Sequence, residues 1–187
     1  LSLDYSGLAS IFEFDNQDGR WSGFNCGQAA ACTLLHVYGR ITPRADEMRR
    51  VEQQFPPDLG GGWLGTSRSQ VERICRSRSL PLQEIRGEAA LRDWLRANQP
   101  VIVMLQCQQR RSTFGVSLPV GHWMVAYGFD ESFVYLTNWG RMSWDDFRRG
   151  WQTWLPRFIG MVGRGLVARF PSDENAGRVT SRSCCLQ

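Results

Sequence analysis

Three short apolar segments in the second half of the chain constrain its fold more than any other feature. Val101–Gln106, His122–Phe129 and Phe133–Asn138 are each strand-sized, and Asp130-Glu131-Ser132 between the last two is a tight turn. Such segments oblige the chain to build antiparallel sheet there. The unbroken run Val101-Ile102-Val103-Met104-Leu105 is far shorter than the ~18 residues a membrane span requires. Upstream the period is that of a helix. Ala30, Thr33, Leu34 and Val37 recur at helical spacing within 26–38, and Gly39 is a natural left-handed stop. Thr42-Pro43 has the form of a second helix start, ending before Pro56-Pro57, with a flexible loop at Gly60-Gly61-Gly62. A third helix is predicted over 66–78 and a fourth over 88–98, and Pro100 precedes the first strand. Residues 107–120 read as a polar loop, Ser143-Trp144-Asp145-Asp146 as a helix opening, and 159–170 as a final strand interrupted by glycines. Helices first and strands second mean an α+β fold, with an N-terminal helical half, a C-terminal antiparallel sheet and a cleft between them. The domain is expected to span 1–170. Residues 171–187 lose the apolar pattern and are expected to be a disordered tail.

Composition narrows the function classes. A chain of 187 residues with 42% hydrophobic content holds one packed domain. The net charge of +4 is scattered, which argues against nucleic acid as a partner. All 22 basic residues are Arg. A GC-rich genome explains this, and so does selection against lysine modification inside a ubiquitin-using host. The six cysteines lack a repeated spacing and form no C-x-x-C, and only His36 and His122 could join them, so neither a metal nor another cofactor is expected. Free thiols in a reducing compartment fit best. The last four residues, Cys184-Cys185-Leu186-Gln187, match the C-a-a-X pattern. Lipidation at Cys184 would bring the chain to a membrane, and bacteria do not prenylate their own proteins this way. With the missing Lys, this gives the expectation of a bacterial toxin or effector, cytoplasmic in its producer or delivered into a target cell.

Three residues carry chemistry. Cys26 opens the first helix, where unsatisfied N–H groups and the helix dipole favour a thiolate. A buried structural cysteine would look the same in isolation. His122 follows Gly121 and leads an apolar strand, where packing explains a histidine poorly. Asn138 ends the next strand of the same hairpin, so antiparallel pairing can set it beside His122. Thiol nucleophile, imidazole acid/base and an amide that fixes the ring tautomer form a triad logic.

Asn25-Cys26-Gly27-Gln28-Ala29-Ala30, Gly121-His122 and Thr137-Asn138-Trp139-Gly140 together resemble the papain-like cysteine peptidases, whose Asn-Ser-Trp-Gly the last motif echoes. The spacing of Cys26 and His122, with the stretches Gly65-Thr66 and Gln99-Pro100-Val101-Ile102-Val103, is similar to the compact bacterial branch that includes double-glycine leader peptidases. Bacterial members place Asp where Asn138 stands. The resemblance covers about residues 15–157. It implies that Cys26 attacks a protein or peptide substrate, that His122 moves the proton and that Asn138 orients His122. It also implies an oxyanion donor upstream of the cysteine, for which Gln17 is the only Gln available and Asn16 the next choice. Gln28 reads as structural, and Trp139 as an aromatic shield over the His–Asn pair. Trp21, Trp63 and Trp123 would narrow the acyl side of the cleft to glycine, so cleavage after Gly-Gly is expected. An inhibitor or immunity protein is a further expected partner. Acyl transfer or deamidation by the same triad, and peptide binding without catalysis, are the alternative readings.

Overall fold

The computed structural model describes residues 23–42, 46–62, 65–111, 117–153 and 160–169. Helix α1 (Cys26–Val37) runs to Tyr38 and is followed by Gly39 in a left-handed conformation. Helix α2 (Glu47–Gln54) begins at Asp46, downstream of the start predicted at Thr42-Pro43. The three glycines read as a flexible loop form a single 3-10 turn, Gly60–Gly62, closed by pairing of Leu59 with Gly65. Helix α3 (Arg68–Ser77) begins later than predicted because Ser67 is its cap, accepting a hydrogen bond from the Gln70 N–H. Strand β1 (Leu82–Arg86), which periodicity did not mark, leads into helix α4 (Gly87–Arg96).

Strands β2 (Val101–Arg111) and β3 (Ser117–Phe129) form a long hairpin, correcting the polar loop expected over 107–120. Backbone pairing carries the ladder outward past a bulge between Gln106 and Gln108 into sequence too polar to read as strand. His122 therefore sits within a strand, opposite Leu105, and not at a strand start. Strand β4 (Phe133–Leu136) follows the expected turn, in which Asp130 Oδ1 accepts hydrogen bonds from the Ser132 and Phe133 N–H groups. Strand β5 (Gly140–Ser143) was also missed. Helix α5 (Trp144–Trp151) opens as its chemistry predicts, with Ser143 Oγ capping the Asp146 N–H. Strand β6 (Arg164–Ala168) is the core of the last strand predicted.

The six strands form one antiparallel sheet in the order β1-β6-β2-β3-β4-β5. Ile102, Met104, Trp123 and Val125 pack with α1, α2 and α3 on one face, whereas Val101, Val103, Leu105, Met124 and Ala126 pack with α4 and α5 on the other. Burial on both faces is why β2 and β3 read as continuous apolar runs without alternation. The α+β class holds, and the sheet is covered by helices on both sides. Among the described residues, no helix is long and apolar enough to cross a membrane. The proposed tail and the first 22 residues lie outside the described residues.

The insertion of β6 between β1 and β2 makes Gly165 a packing requirement. A Cβ there would lie 2.4 Å from Val101 Cγ1 and 3.2 Å from Ile85 Cγ1. Gly165→Ala should therefore destabilise the fold by about 1–3 kcal/mol, measured by urea denaturation, as overpacking a filled core does.

Candidate active site

Cys26 is the first residue of α1 and is buried together with Asn25, Gly27 and Gln28. The backbone N–H groups of Trp123, Gly27 and Cys26 itself lie near its sulfur and favour its anion. Two of these donors come from the open end of the helix. The third comes from β3, and it brings the residue after His122 onto the thiol. Burial nevertheless outweighs all three donors and pushes the Cys26 thiol above its ordinary value. The thiolate expected from the helix terminus alone is thus corrected. Removing sulfur from water penalises its anion more than the backbone donors stabilise it.

The surrounding frame is a chain of buried polar contacts. The Thr66 hydroxyl donates to Gln28 Oε1 at 2.6 Å, and Gln28 Nε2 donates to the Phe55 carbonyl at 2.9 Å. Gln28 is structural, as expected. The Trp123 indole Nε1 donates to the Thr66 carbonyl at 2.9 Å. The Thr66 side chain also packs so tightly on α1 that a Cβ at Gly27 would lie 2.6 Å from its own Cβ. Sequence reasoning assigned no role to Thr66, because a buried threonine after a glycine-rich loop carries no motif.

His122 is half-buried, and burial lowers its pKa below the ordinary 6.5. Asn138 lies just beyond β4, the strand next to that of His122. Thr137 anchors this point: its N–H donates to the Val125 carbonyl at 3.0 Å, and its Oγ1 accepts from the Val125 N–H at 2.9 Å. Asn138 then turns the chain at φ 58°, a left-handed conformation that Asn tolerates better than most residues. Trp139, expected as a shield, is 39% exposed and lines an open cavity of about 620 Å³ with Gln106, Phe133, Arg141, Met142 and Arg149. His36 sits in the last turn of α1, about 15 Å along the helix from Cys26, too far to act on the thiol. Gln17, Asn16, Trp21, Trp63 and Cys184 lie outside the described residues. Among the described residues, no group of three His, Cys, Asp or Glu is placed to hold a metal ion.

Two measurements check this geometry. Gly27→Ala should force Thr66 away from α1 and lower stability by about 1–3 kcal/mol in urea denaturation. Unfolding returns His122 to its ordinary 6.5, so the unfolded chain takes up this proton first as pH falls, and the stability of the folded state declines below that value. From about pH 7 to pH 5 the wild-type urea midpoint should therefore fall relative to that of His122→Gln. Parallel midpoints would mean that the ring is hydrated.

No protein-family model matches this chain, and no curated protein matches it. Solved structures do. A protein described as a C39-like peptidase from Bacillus anthracis superimposes with a TM-score of 0.62 at 13% identity, covering 87% of this chain and 96% of that one. A double-glycine-motif protease from an AMS/PCAT transporter, solved with its leader peptide, aligns at a TM-score of 0.47 and 18% identity, over 79% of this chain and 86% of that one. The peptidase domain of Streptococcus ComA aligns at 0.48 and 15% identity, over 79% and 93% of the two chains. This chain shares the α+β fold of the protein described as a C39-like peptidase.

Proposed function

We propose that this chain is a cysteine peptidase in which Cys26 is the nucleophile and His122 the general base. The observation that carries the reading is the nearness of the Trp123 backbone N–H to the Cys26 sulfur, which sets the residue after His122 beside a thiol at a helix N-terminus. Both groups rest neutral, because burial raises the one and lowers the other. A neutral imidazole is a base ready to accept a proton. As the sulfur attacks the scissile carbonyl, His122 takes the thiol proton and then delivers it to the departing amine, so that the S–C bond forms as the C–N bond breaks. Water, deprotonated by His122, then releases the acyl group. The Cys26 N–H, at the open end of α1, would stabilise the oxyanion, with Gln17 as the second donor. Asn138 would orient His122.

The substrate proposed is a flexible protein segment with small residues before the cut. Trp123 supports this, because its buried indole is bonded to the Thr66 carbonyl, two residues before the first turn of α3. A wall of that size leaves room for glycine and excludes bulk by steric clash.

Cys26→Ala and His122→Ala should each abolish turnover, while Asn138→Ala should retain part of it. Gln17→Ala should lower turnover by about 10²–10³-fold, as loss of one oxyanion donor does. The measurement is mass spectrometry of a proteome treated with wild type or Cys26→Ala. New termini after Gly-Gly that require Cys26 would support the proposal. Deamidated or cross-linked glutamines in place of new termini would move the chain to acyl-transfer chemistry.

A further inference from the structure

We infer that Thr66 is a positioning residue that holds the thiol and the imidazole in register, acting on both from one buried side chain and its carbonyl. The inference rests on the Cys26–His122 reading. Thr66 is 1% exposed and makes three separate contacts toward the site. Its hydroxyl donates to Gln28 Oε1 at 2.6 Å, fixing the first turn of α1 two residues beyond Cys26. Its side chain fills the space that a Cβ at Gly27 would need, fixing the residue next to Cys26. Its carbonyl accepts the Trp123 indole N–H at 2.9 Å, fixing the residue next to His122.

Thr66 is itself held in place. The next residue, Ser67, caps α3, and both its N–H and its hydroxyl donate to the Asp58 carboxylate, at 2.7 and 2.6 Å. The loop end that carries Thr66 is thus anchored independently of α1 and β3. Nucleophile and base lie on different elements, α1 and β3, and Thr66 bonds to the neighbours of both. A shift of either element changes the Cys26–His122 alignment, and misplacement by ~1 Å can cost ~10²-fold in rate.

The test needs no substrate. Alkylation of Cys26 by iodoacetamide is followed across pH, with the modified peptide quantified by mass spectrometry. In the wild type, His122 should take the thiol proton as the neutral Cys26 is alkylated and so add a shoulder below the ~8.5 of a free thiol, and His122→Ala should lack it. Thr66→Val keeps the side-chain shape but leaves Gln28 Oε1 without its donor. It should reduce the shoulder on the order of tenfold, and Thr66→Ser, which keeps the hydroxyl, should restore most of it. If Thr66→Val does not fold, Trp123→Phe removes the other bond while keeping a ring, and it should reduce the shoulder likewise. A folded Thr66→Val whose profile superimposes on the wild type overturns the role of Thr66 and leaves the Cys26–His122 pair standing. Identical profiles for wild type and His122→Ala overturn the pair, and the positioning role with it.

Discussion

The hydrogen bond from the Trp123 indole to the Thr66 carbonyl is the contact on which the rest of the site depends. The helical layer and the sheet meet in an apolar cluster, and apolar contacts alone do not fix orientation. A buried indole N–H has one geometry that satisfies it, and here that geometry spans the junction between the two layers. Once it forms, the backbone N–H of the same residue reaches the Cys26 sulfur. Thr66 then passes the constraint on through Gln28 to the Phe55 carbonyl at the end of α2. Three helices and the central strand are thereby tied at one point, where chemistry needs precision of tenths of an ångström.

The electrostatics are a competition between burial and dipoles. Helix-terminal donors favour a thiolate, and a sulfur open to water would be expected to ionise there. Here the layers close over Cys26, and the lost hydration outweighs the help of the dipoles. In the proposed mechanism the resting pair is neutral, and the proton moves during the reaction. Cys32 and Cys75, deep in the core, are pushed up by burial as well, Cys75 to about 12, which leaves them inert.

Much of this was legible in the sequence, for local reasons. Ser143-Trp144-Asp145-Asp146 states a helix start, Asp130-Glu131-Ser132 a turn, and Val101–Leu105 a strand buried on both faces, because each depends on neighbours in the chain. What was not legible depends on distant partners. Strand β1 has a mixed burial pattern and exists because β6 pairs with it. The outer parts of β2 and β3 are polar and hold their form through each other. Cys26, His122 and Asn138 stood out because their residue types are unusual where they occur. Thr66 did not, since its partners are 38 and 57 residues away.

The position of β6 has a consequence for how the molecule comes into being. Among the described strands, β1 touches the sheet only through β6, the last of them. During synthesis the ribosome must therefore release residues up to about 168 before β1 has a partner. Leu166 and Ala168 also complete the apolar cluster against which α1 packs. Until then the layer that carries Cys26 lacks part of its floor. Such a topology has high contact order and folds late and as a whole. The nascent chain accordingly reaches the ordered setting of Cys26 only after β6 has emerged.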